Sequence, residues 1–283
     1  MNSLSLLLNN QLSHPLVMGI LNITTDSFSD GNKYLDEEAS FAHASKLISD
    51  GAAIIDIGAE STRPGSSPVN ESLELSRIIP ALKNVKRAHP NISVSIDTRK
   101  SSVAMAALRA NADIINDISA AQFDPALAEV VSSYPEAKII LMHMQGQPET
   151  MQNCPRYDNV IDEVKSFLTA RIEFCLRKGI KLHNIMIDPG IGFGKNLRHN
   201  LTLIREIDSF ASFGLPIVLG ASRKSFINSI VPSDPEERLG GSLAAAAWAT
   251  YKRVAIIRCH DVAQHNQFLK VLSAISNYGL MDK

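Results

Sequence analysis

Residues 92–97 read ISVSID and residues 113–116 read DIIN, and each of these apolar runs ends in a polar side chain. About eight such runs can be counted, the others being residues 17–21, 53–57, 138–142, 184–187, 215–219 and 254–257. Eight parallel strands that alternate with helices close into a barrel, whose active site forms where the strands end. The pattern therefore predicts an α/β fold, a (β/α)8 TIM barrel, with its site residues at the strand ends.

The segments between these runs carry helix signals. Residues 36–50 have an acidic first turn with Gly51 just beyond them, and residues 70–88 stop near Pro90. Further helices are predicted at residues 101–110, 125–133, 158–178, 200–213 and 242–252. This alternation indicates βαβ units and a parallel sheet. A doubly wound open sheet is the rival architecture, but it would place its site at one crevice. Polar residues at nearly every strand end favour the closed barrel.

Length and composition fit one globular domain. The 283 residues exceed the roughly 250 typical of one barrel but remain within its range. No linker interrupts them, so we predict a single domain over residues 1–283 with a core of about 15–275. A formal charge of −1 makes nucleic acid an improbable partner, although a few local cations could still bind an anionic small ligand.

Nothing in the sequence predicts a membrane or secretory segment. No run approaches the roughly 18 apolar residues that span a bilayer, and the N-terminal leucines follow no basic residue. The three cysteines form no CxxC pair, which is typical of a reducing compartment. We predict a cytoplasmic protein with no membrane partner.

The first two loops carry candidate ligands for an anion and a cation. In MGILNITTDSFSDG, residues 18–31, Asn22 ends a strand and could bind a hard cation, or it could be a turn residue. Phe28 could cover a ligand or pack beneath its loop. In GAESTRPGSSPV, residues 58–69, Thr62 and Arg63 follow the strand, and arginine suits phosphate. Glu60 could instead pair with Arg63.

Polar groups also end the third, fourth and sixth strands. Asp97 and Asn116 could together bind a ring with alternating donors and acceptors, although a buried aspartate that satisfies loop amides is the alternative. MIDPGIGFGK, residues 186–195, fails as a P-loop because Pro189 replaces the first glycine and Asn196 replaces the Ser or Thr. We interpret its glycines as allowing close approach to a flat ligand, with Asp188 as a second carboxylate.

The last two strand ends are cationic. LGASRKSF, residues 219–226, places Lys224 beside Ser225, which lies near a helix start suited to an anion. IIRCHD, residues 256–261, supplies Arg258 and His260. The corresponding loops of TIM barrels often hold a phosphate.

Taken in order, nine segments resemble the dihydropteroate synthase family. They are MGILNITTDSFSDG, GAESTRPG, SIDTRK, INDIS, MHMQGQPETMQ, DPGIGFGK, LGASRKSF, RLGGSLAAAAWA and IIRCHDV, and they span residues 17 to about 262. One small departure is Cys259, where a smaller or branched apolar residue is expected; we expect it to affect packing without loss of chemistry. The resemblance implies a TIM barrel, a homodimer, Mg²⁺, a place in folate biosynthesis and a sulfonamide target.

The implied reaction joins 4-aminobenzoate to the hydroxymethyl diphosphate of a dihydropterin, with release of diphosphate. By the resemblance, Asp97, Asp188, Lys224 and Arg63 are the catalytic residues. The same resemblance implies a pterin site of Asp97, Asn116, Asp188, Lys224, Gly220 and Arg258, with Met142, Ile118 and Phe193 on its apolar faces. It implies Asn22 as the Mg²⁺ ligand, a diphosphate site of Thr62, Arg63, Arg258 and His260, and an aminobenzoate site of Ser225, Phe28 and Pro64.

Two other functions are compatible with part of this pattern. A pterin-binding barrel that transfers a methyl group from methyltetrahydrofolate to a corrinoid would share Asp97, Asn116 and Asp188. The methyl donor carries no diphosphate, however, so such a barrel needs neither Asn22 with Mg²⁺ nor Arg63. A paralogue that only binds pterin or a partner protein is the second alternative. The presence of every cation and carboxylate that the chemistry needs favours the synthase.

Overall fold

The structure is a computed structural model that describes residues 14–23, 33–60 and 69–277. Within this part of the chain, eight strands pair in parallel into one sheet. They are β1 (Leu16–Asn22), β2 (Ile54–Gly58), β3 (Ser93–Asp97), β4 (Ile114–Asp117), β5 (Lys138–Met142), β6 (Ile185–Asp188), β7 (Val218–Leu219) and β8 (Ile256–Cys259).

The strand order shows that the sheet closes into a barrel. It runs β6-β5-β4-β3-β2-β1-β8-β7, so consecutive strands are neighbours and β1 also pairs with β8. A single bridge between Ile187 and Ile217 joins the two ends, and the Ile187 N–H donates to the Pro216 carbonyl at 3.0 Å. The prediction of a TIM barrel is confirmed, and the doubly wound alternative is wrong.

Helices alternate with the strands in the described ranges. They are α1 (Lys33–Ser49), α2 (Glu71–Ala88), α3 (Ser101–Arg109), α4 (Ala126–Ser132), α5 (Val160–Arg177), α6 (Leu197–Arg205), α7 (Ser225–Ile230), α8 (Leu239–Tyr251) and α9 (Val262–Asn277). No helix among these described residues is long and apolar enough to cross a bilayer.

Most predicted elements differ from the structure by one to three residues at their ends, and two differ for a clear physical reason. β7 has two residues where 215–219 were predicted, because Pro216 has no N–H to donate to a strand ladder. The helix predicted at 200–213 begins earlier, at Leu197, since the Asn196 side chain caps it by accepting the His199 N–H. It ends at Arg205 and is followed by a 3-10 helix, Ile207–Phe213. The long α9 was not predicted.

The barrel encloses one apolar core and the helices cover another. The interior layer consists of Leu16, Met18, Ile54, Ile114, Ile140, Met186, Val218 and Ile256. Alternate strand residues such as Ile55, Ile115 and Ile187 face outward and pack with the helices. Because side chains alternate along a strand, the residue two positions beyond each interior residue also points inward, at the carboxyl end of the barrel.

Candidate active site

Polar and charged side chains fill the barrel mouth directly above the apolar interior. Asp56 lies two residues after Ile54, and Asp188 two residues after Met186. Asn116 and Arg258 have the same relation to Ile114 and Ile256. Asp97 ends β3 in register with Asn116 and Gly58. The side chains predicted from the strand ends therefore come together in one place.

Arg258 joins two carboxylates in this mouth. Its Nε donates to Asp56 Oδ2 at 2.6 Å and its Nη2 donates to Asp97 Oδ2 at 3.0 Å. Asn116 Nδ2 also donates to Asp56 Oδ2, at 3.1 Å. No role is predicted for Asp56 from the sequence, because it lies inside a strand rather than at its end. A carboxylate within the otherwise apolar run 53–57 is the signal that could identify it, and the structure buries it fully.

Burial opposes ionisation of the carboxylates that face the mouth. It raises the pKa of Asp97 to about 7, although the Arg258 charge acts against this rise. The pKa of Asp188 is raised by burial too, against the Gly190 N–H bond and the charges of Lys224 and Arg258. The alternative role of satisfying loop amides is shared by Asp188, which accepts the Gly190 N–H, and Asp117, whose carboxylate accepts bonds from the Ser119 and Ala121 amides.

Apolar side chains and a lysine form one wall of the mouth. Ile118, Met142 and Phe193 lie in a single buried cluster that also includes Met144 and Met151. Lys224 Nζ lies 4.0 Å from the centroid of the Phe193 ring, which makes a cation–π contact. Burial and the charge of Arg258 lower the pKa of Lys224 to about 8.

His260 is not the second cation that the sequence predicted. Burial, with the nearby Arg258 and Arg223 charges, lowers the pKa of His260 to about 3, so the imidazole is neutral near pH 7. Ser222 Oγ accepts the His260 backbone N–H at 3.2 Å and lies 3.1 Å from its Nδ1. The hydroxyl can then donate to Nδ1, which leaves the ring proton on Nε2 as a hydrogen-bond donor.

Asn22 lies at the rim beside Asp97 and fits a metal that arrives with phosphate. A Cβ built on Gly58 would lie 3.7 Å from Asn22 Oδ1 and 3.3 Å from the Asp97 Cβ. The described residues contain no group of three or more His, Cys, Asp or Glu side chains that could hold a metal ion. Magnesium commonly takes one or two protein oxygens and completes its shell with phosphate and water. One exposed amide oxygen suits that arrangement.

Two of the glycines after β6, Gly190 and Gly194, have a different purpose from the predicted one. A Cβ on Gly190 would lie 1.9 Å from the His143 carbonyl oxygen, and a Cβ on Gly194 would lie 2.4 Å from the Gln145 carbonyl oxygen. Both glycines have positive φ, 71° and 63°. They therefore allow close approach to the backbone after β5, whereas the prediction was approach to a flat ligand.

The remaining predicted site residues are at the rim or outside the described part. Gly220 lies between Arg258 and Asp188, since its Cβ would be 3.9 Å from both side chains. Ser225 is exposed and begins α7. Phe28, Thr62, Arg63 and Pro64 lie outside the described residues.

Glu60 and Cys259 are two further residues for which the sequence gave an expectation. The alternative partner of Glu60, Arg63, lies outside the described residues, and Glu60 pairs with Arg99 at 2.7 Å and Lys100 at 2.6 Å. Cys259 is a buried free thiol whose pKa is raised by burial to about 12. That burial agrees with a packing position.

Comparison with known proteins identifies the family. The model of the pterin binding enzymes matches residues 18–260. The dihydropteroate synthase of Escherichia coli (strain K12) is 43% identical over 93% of this chain and 92% of its own. The Yersinia pestis dihydropteroate synthase in a sulfonamide complex is 39% identical with a TM-score of 0.88, over 94% of this chain and 95% of its own.

A third relative carries the product of the reaction. Xanthomonas albilineans dihydropteroate synthase in complex with 7,8-dihydropteroate is 36% identical with a TM-score of 0.83, over 93% of this chain and 94% of its own. A match at this identity over almost the whole length, on the same barrel, extends well beyond the pterin pocket. The chain therefore belongs to the dihydropteroate synthase family, transferases of folate biosynthesis.

Proposed function

We propose that the chain condenses 4-aminobenzoate with (7,8-dihydropterin-6-yl)methyl diphosphate by a dissociative substitution in which carboxylates of the barrel mouth stabilise a pterin carbocation. The observation that carries this proposal is the pair Asp97 and Asp188, two largely buried carboxylates on separate strands of one mouth. The 7,8-dihydropteroate in the Xanthomonas albilineans relative supports the same product.

The pterin ring fits the polar floor and the apolar wall of the mouth. Asp97, Asn116 and Asp188 offer the mixture of donors and acceptors that the ring edge requires, and Lys224 adds a donor. The cluster of Ile118, Met142 and Phe193 provides an apolar surface for one ring face. Arg258 would cover the other face, and Gly220 leaves the space between Arg258 and Asp188 open.

The chemistry breaks one bond and forms another at the same carbon. The methylene C–O bond breaks and its electron pair leaves with the diphosphate. The 4-aminobenzoate nitrogen lone pair then forms the C–N bond, and its extra proton passes to solvent or to the diphosphate. An arylamine is already a nucleophile, so no strong base is needed. Preorganised negative charge at Asp97 and Asp188 lowers the energy of the positive carbon between these two events.

The departing diphosphate would be held by Asn22 with Mg²⁺ and by Thr62, Arg63, Arg258 and His260. Bound there, Mg²⁺ supplies Lewis-acid stabilisation of the phosphate oxygens as negative charge develops. Arg258 contributes its fixed charge and His260 an Nε2 donor. We expect chelation of Mg²⁺ to weaken binding of the pterin diphosphate roughly tenfold or more and to leave free pterin unaffected. Calorimetry with both ligands checks this, and an unchanged diphosphate affinity would contradict it.

The second substrate would occupy the rim outside the pterin. Ser225 at the start of α7 would accept the 4-aminobenzoate carboxylate as a ligand, with Phe28 and Pro64 against its ring. The sulfonamide complex of the Yersinia pestis relative supports the proposal that sulfonamides compete for this place. Competitive inhibition against 4-aminobenzoate, and not against the pterin substrate, is the expected kinetic pattern.

The direct experiment is an assay of diphosphate release. We expect full release only when both substrates and Mg²⁺ are supplied, with dihydropteroate formed in equal amount. The methyltransferase and binding-only alternatives both predict no product from these substrates. A variant at Lys138, on the opposite end of β5, is a matched control that should keep wild-type release.

We also propose that the chain acts as a cytoplasmic homodimer through the faces of α6, α7 and α8. An apolar groove of about 510 Å³ lies between these helices, and Ile230, Val231 and Trp248 on its border are exposed. Gly241 lets α8 approach Ile227 of α7 closely, and the small, exposed Ala244 keeps the groove open to a second copy. Light scattering should give a dimer mass, and Ala244→Arg should reduce it to that of a monomer.

A further inference from the structure

The GFGK sequence after β6 leaves a lysine that the catalytic proposal does not use. Lys195 occupies the place of a phosphate-binding lysine in a P-loop, yet only 2% of it is exposed. Its Nζ donates to His143 Nδ1 at 2.9 Å, to the Phe193 carbonyl at 2.9 Å and to the His143 carbonyl at 3.4 Å. These three acceptors use the whole donor capacity of an ammonium group, so none remains for a ligand.

His143 is a fixed acceptor for this ammonium. Burial, reinforced by the Lys195 charge, lowers the pKa of His143 to about 2, so the ring is neutral near pH 7. An ammonium can only donate, so Nδ1 is the acceptor in the 2.9 Å contact with Lys195 and the ring proton lies on Nε2. The imidazole packs edge-on against Phe167, with ring centroids 4.8 Å apart. The His143 backbone N–H donates to the Asp188 carbonyl at 3.0 Å. Lys195 therefore binds the loop after β6 to the first residue beyond β5.

Three consecutive backbone carbonyls of the loop after β6, those of residues 192–194, each accept a hydrogen bond from a side chain. Gln152 Nε2 donates to the Gly192 carbonyl at 2.6 Å, and Tyr157 Oη donates to the Gly194 carbonyl at 2.9 Å. The carbonyl between them, on Phe193, is bonded by Lys195. The Phe193 ring points the other way, into the mouth against Lys224. Loss of the Lys195 bond would free the Phe193 carbonyl and loosen the residue that carries the ring, while the Phe193 N–H still donates to the Gly190 carbonyl.

Burying the charged Lys195 ammonium costs desolvation free energy, which indicates that this ammonium has a specific role. Burial lowers the pKa of Lys195 to about 7, against the Asp188 charge, and the nearby Lys224 lowers it further. No carboxylate contacts its Nζ in the described part of the chain, while an apolar side chain of similar length would avoid the desolvation. The Lys195 charge also lowers the pKa of Asp188, which favours the carboxylate that the pterin needs.

We propose that Lys195 is a positioning residue for the pterin substrate. Its buried ammonium links the Phe193 carbonyl to His143 and so fixes the Phe193 ring against Lys224. This inference rests on the proposed function to the extent that Phe193 lines the pterin face. It predicts a defect confined to the pterin side of the reaction, because Ser225 and Asn22 belong to other loops.

The test compares Lys195→Met with wild type for both substrates. We expect the KM for the pterin diphosphate and the Kd of free 6-hydroxymethylpterin to rise roughly tenfold, the effect of a lost buried hydrogen bond to charge. The KM for 4-aminobenzoate should stay unchanged at saturating pterin. Lys138→Met removes a partly buried lysine at the start of β5, far from the mouth, and should behave as wild type.

A second pair of variants covers the case in which Lys195→Met folds poorly. His143→Asn keeps a side-chain acceptor near the Nδ1 position and should retain pterin affinity, whereas His143→Leu removes it and should reproduce the Lys195→Met defect. Equal loss in the Asn and Leu variants would overturn the inference, as would a rise in both substrate KM values accompanied by a lower Tm.

Phe193→Ala separates failure of the inference from failure of the proposed site. If Phe193→Ala weakens pterin binding and Lys195→Met does not, the positioning role of Lys195 is wrong and the pterin site stands. If Phe193→Ala also leaves pterin binding unchanged, the proposed pterin wall itself is wrong. Weakening by both variants supports both.

Discussion

The interior layer and the mouth of the barrel are built on the same strands, two residues apart, and differ in almost every physical property. The interior layer is wholly apolar, and each of its members is at most 6% exposed. Two positions further along six of these strands lie Asp56, Asn116, Met142, Asp188, Gly220 and Arg258. One backbone thus presents a layer that stabilises the fold and a layer that binds and reacts.

The two layers also differ in electrostatic cost. Burial in the mouth raises the pKa of Asp97 and Asp188 and lowers that of Lys224, so each charged form is disfavoured there. Asp56 Oδ1, in the same layer, has no hydrogen-bond partner within the described residues. Buried ionisable groups whose charged forms are disfavoured, gathered at one end of a stable barrel, are typical of a functional site. A bound ligand supplies the hydrogen-bond partners that they lack.

The largest expected effect comes from removing one charge of the mouth. Asp97→Asn should lower kcat roughly 100- to 1000-fold, comparable to the loss of one preorganised electrostatic group in other enzymes. The pterin Kd should change far less, because the amide still fills the same space. Steady-state kinetics with calorimetry measures both, and equal losses in turnover and affinity would count against the cation-stabilising role.

The matching change in the interior layer should affect folding alone. Ile114→Ala leaves a cavity below Asn116 and should lower the free energy of unfolding by about 3 kcal/mol. The kcat of the folded fraction should remain close to wild type. Urea unfolding followed by activity of the same samples checks this, and a large fall in kcat would show that the two layers are not separable.

The charges of the mouth predict a narrow pH optimum. Asp97 must be ionised, and its pKa is raised to about 7, so kcat/KM should fall up to tenfold per unit as the pH drops below that value. Lys224 and Lys195 must be protonated, and their pKa values are lowered to about 8 and about 7, so kcat/KM should fall again as the pH rises through these values. Asp97→Asn should abolish the acid limb and keep the alkaline limb. A profile with both limbs intact would assign the acid limb to another group.

The smallest expected effect is a gain in stability from the same substitution. A raised carboxyl pKa in the folded state favours folding below the unfolded value near 3.8, and that contribution disappears as the pH rises through about 7. Asp97→Asn should therefore be more stable than wild type at pH 8, with the gap closing toward pH 4. Thermal unfolding at the two pH values measures it, and a destabilised variant at pH 8 would mean that the Arg258 bond outweighs burial.

Much of the fold and part of the site were predictable from local patterns. Apolar runs that end in a polar residue located all eight strands, because the strand ends of a barrel face its mouth. β7 was too long in the prediction because Pro216 limits its ladder, and α6 was placed too late because the Asn196 cap was overlooked.

The rest depends on contacts between distant residues. Asp56 acquires its role through Asn116, 60 positions away, and Arg258, 202 positions away in sequence. The neutral state of His260 is a consequence of burial, which no local pattern records. The same is true of Lys195, whose sequence context resembles a phosphate loop while its ammonium is enclosed by His143 and Phe193.

Positional isotope exchange is the measurement that tests the carbocation most directly. The substrate is prepared with ¹⁸O in the oxygen that bridges the methylene and the phosphorus, and is incubated with the protein and Mg²⁺ without 4-aminobenzoate. The account predicts that the label moves into non-bridging positions, because the C–O bond breaks reversibly before the amine attacks. Label that stays in the bridge, in protein that turns over normally once 4-aminobenzoate is added, would contradict it.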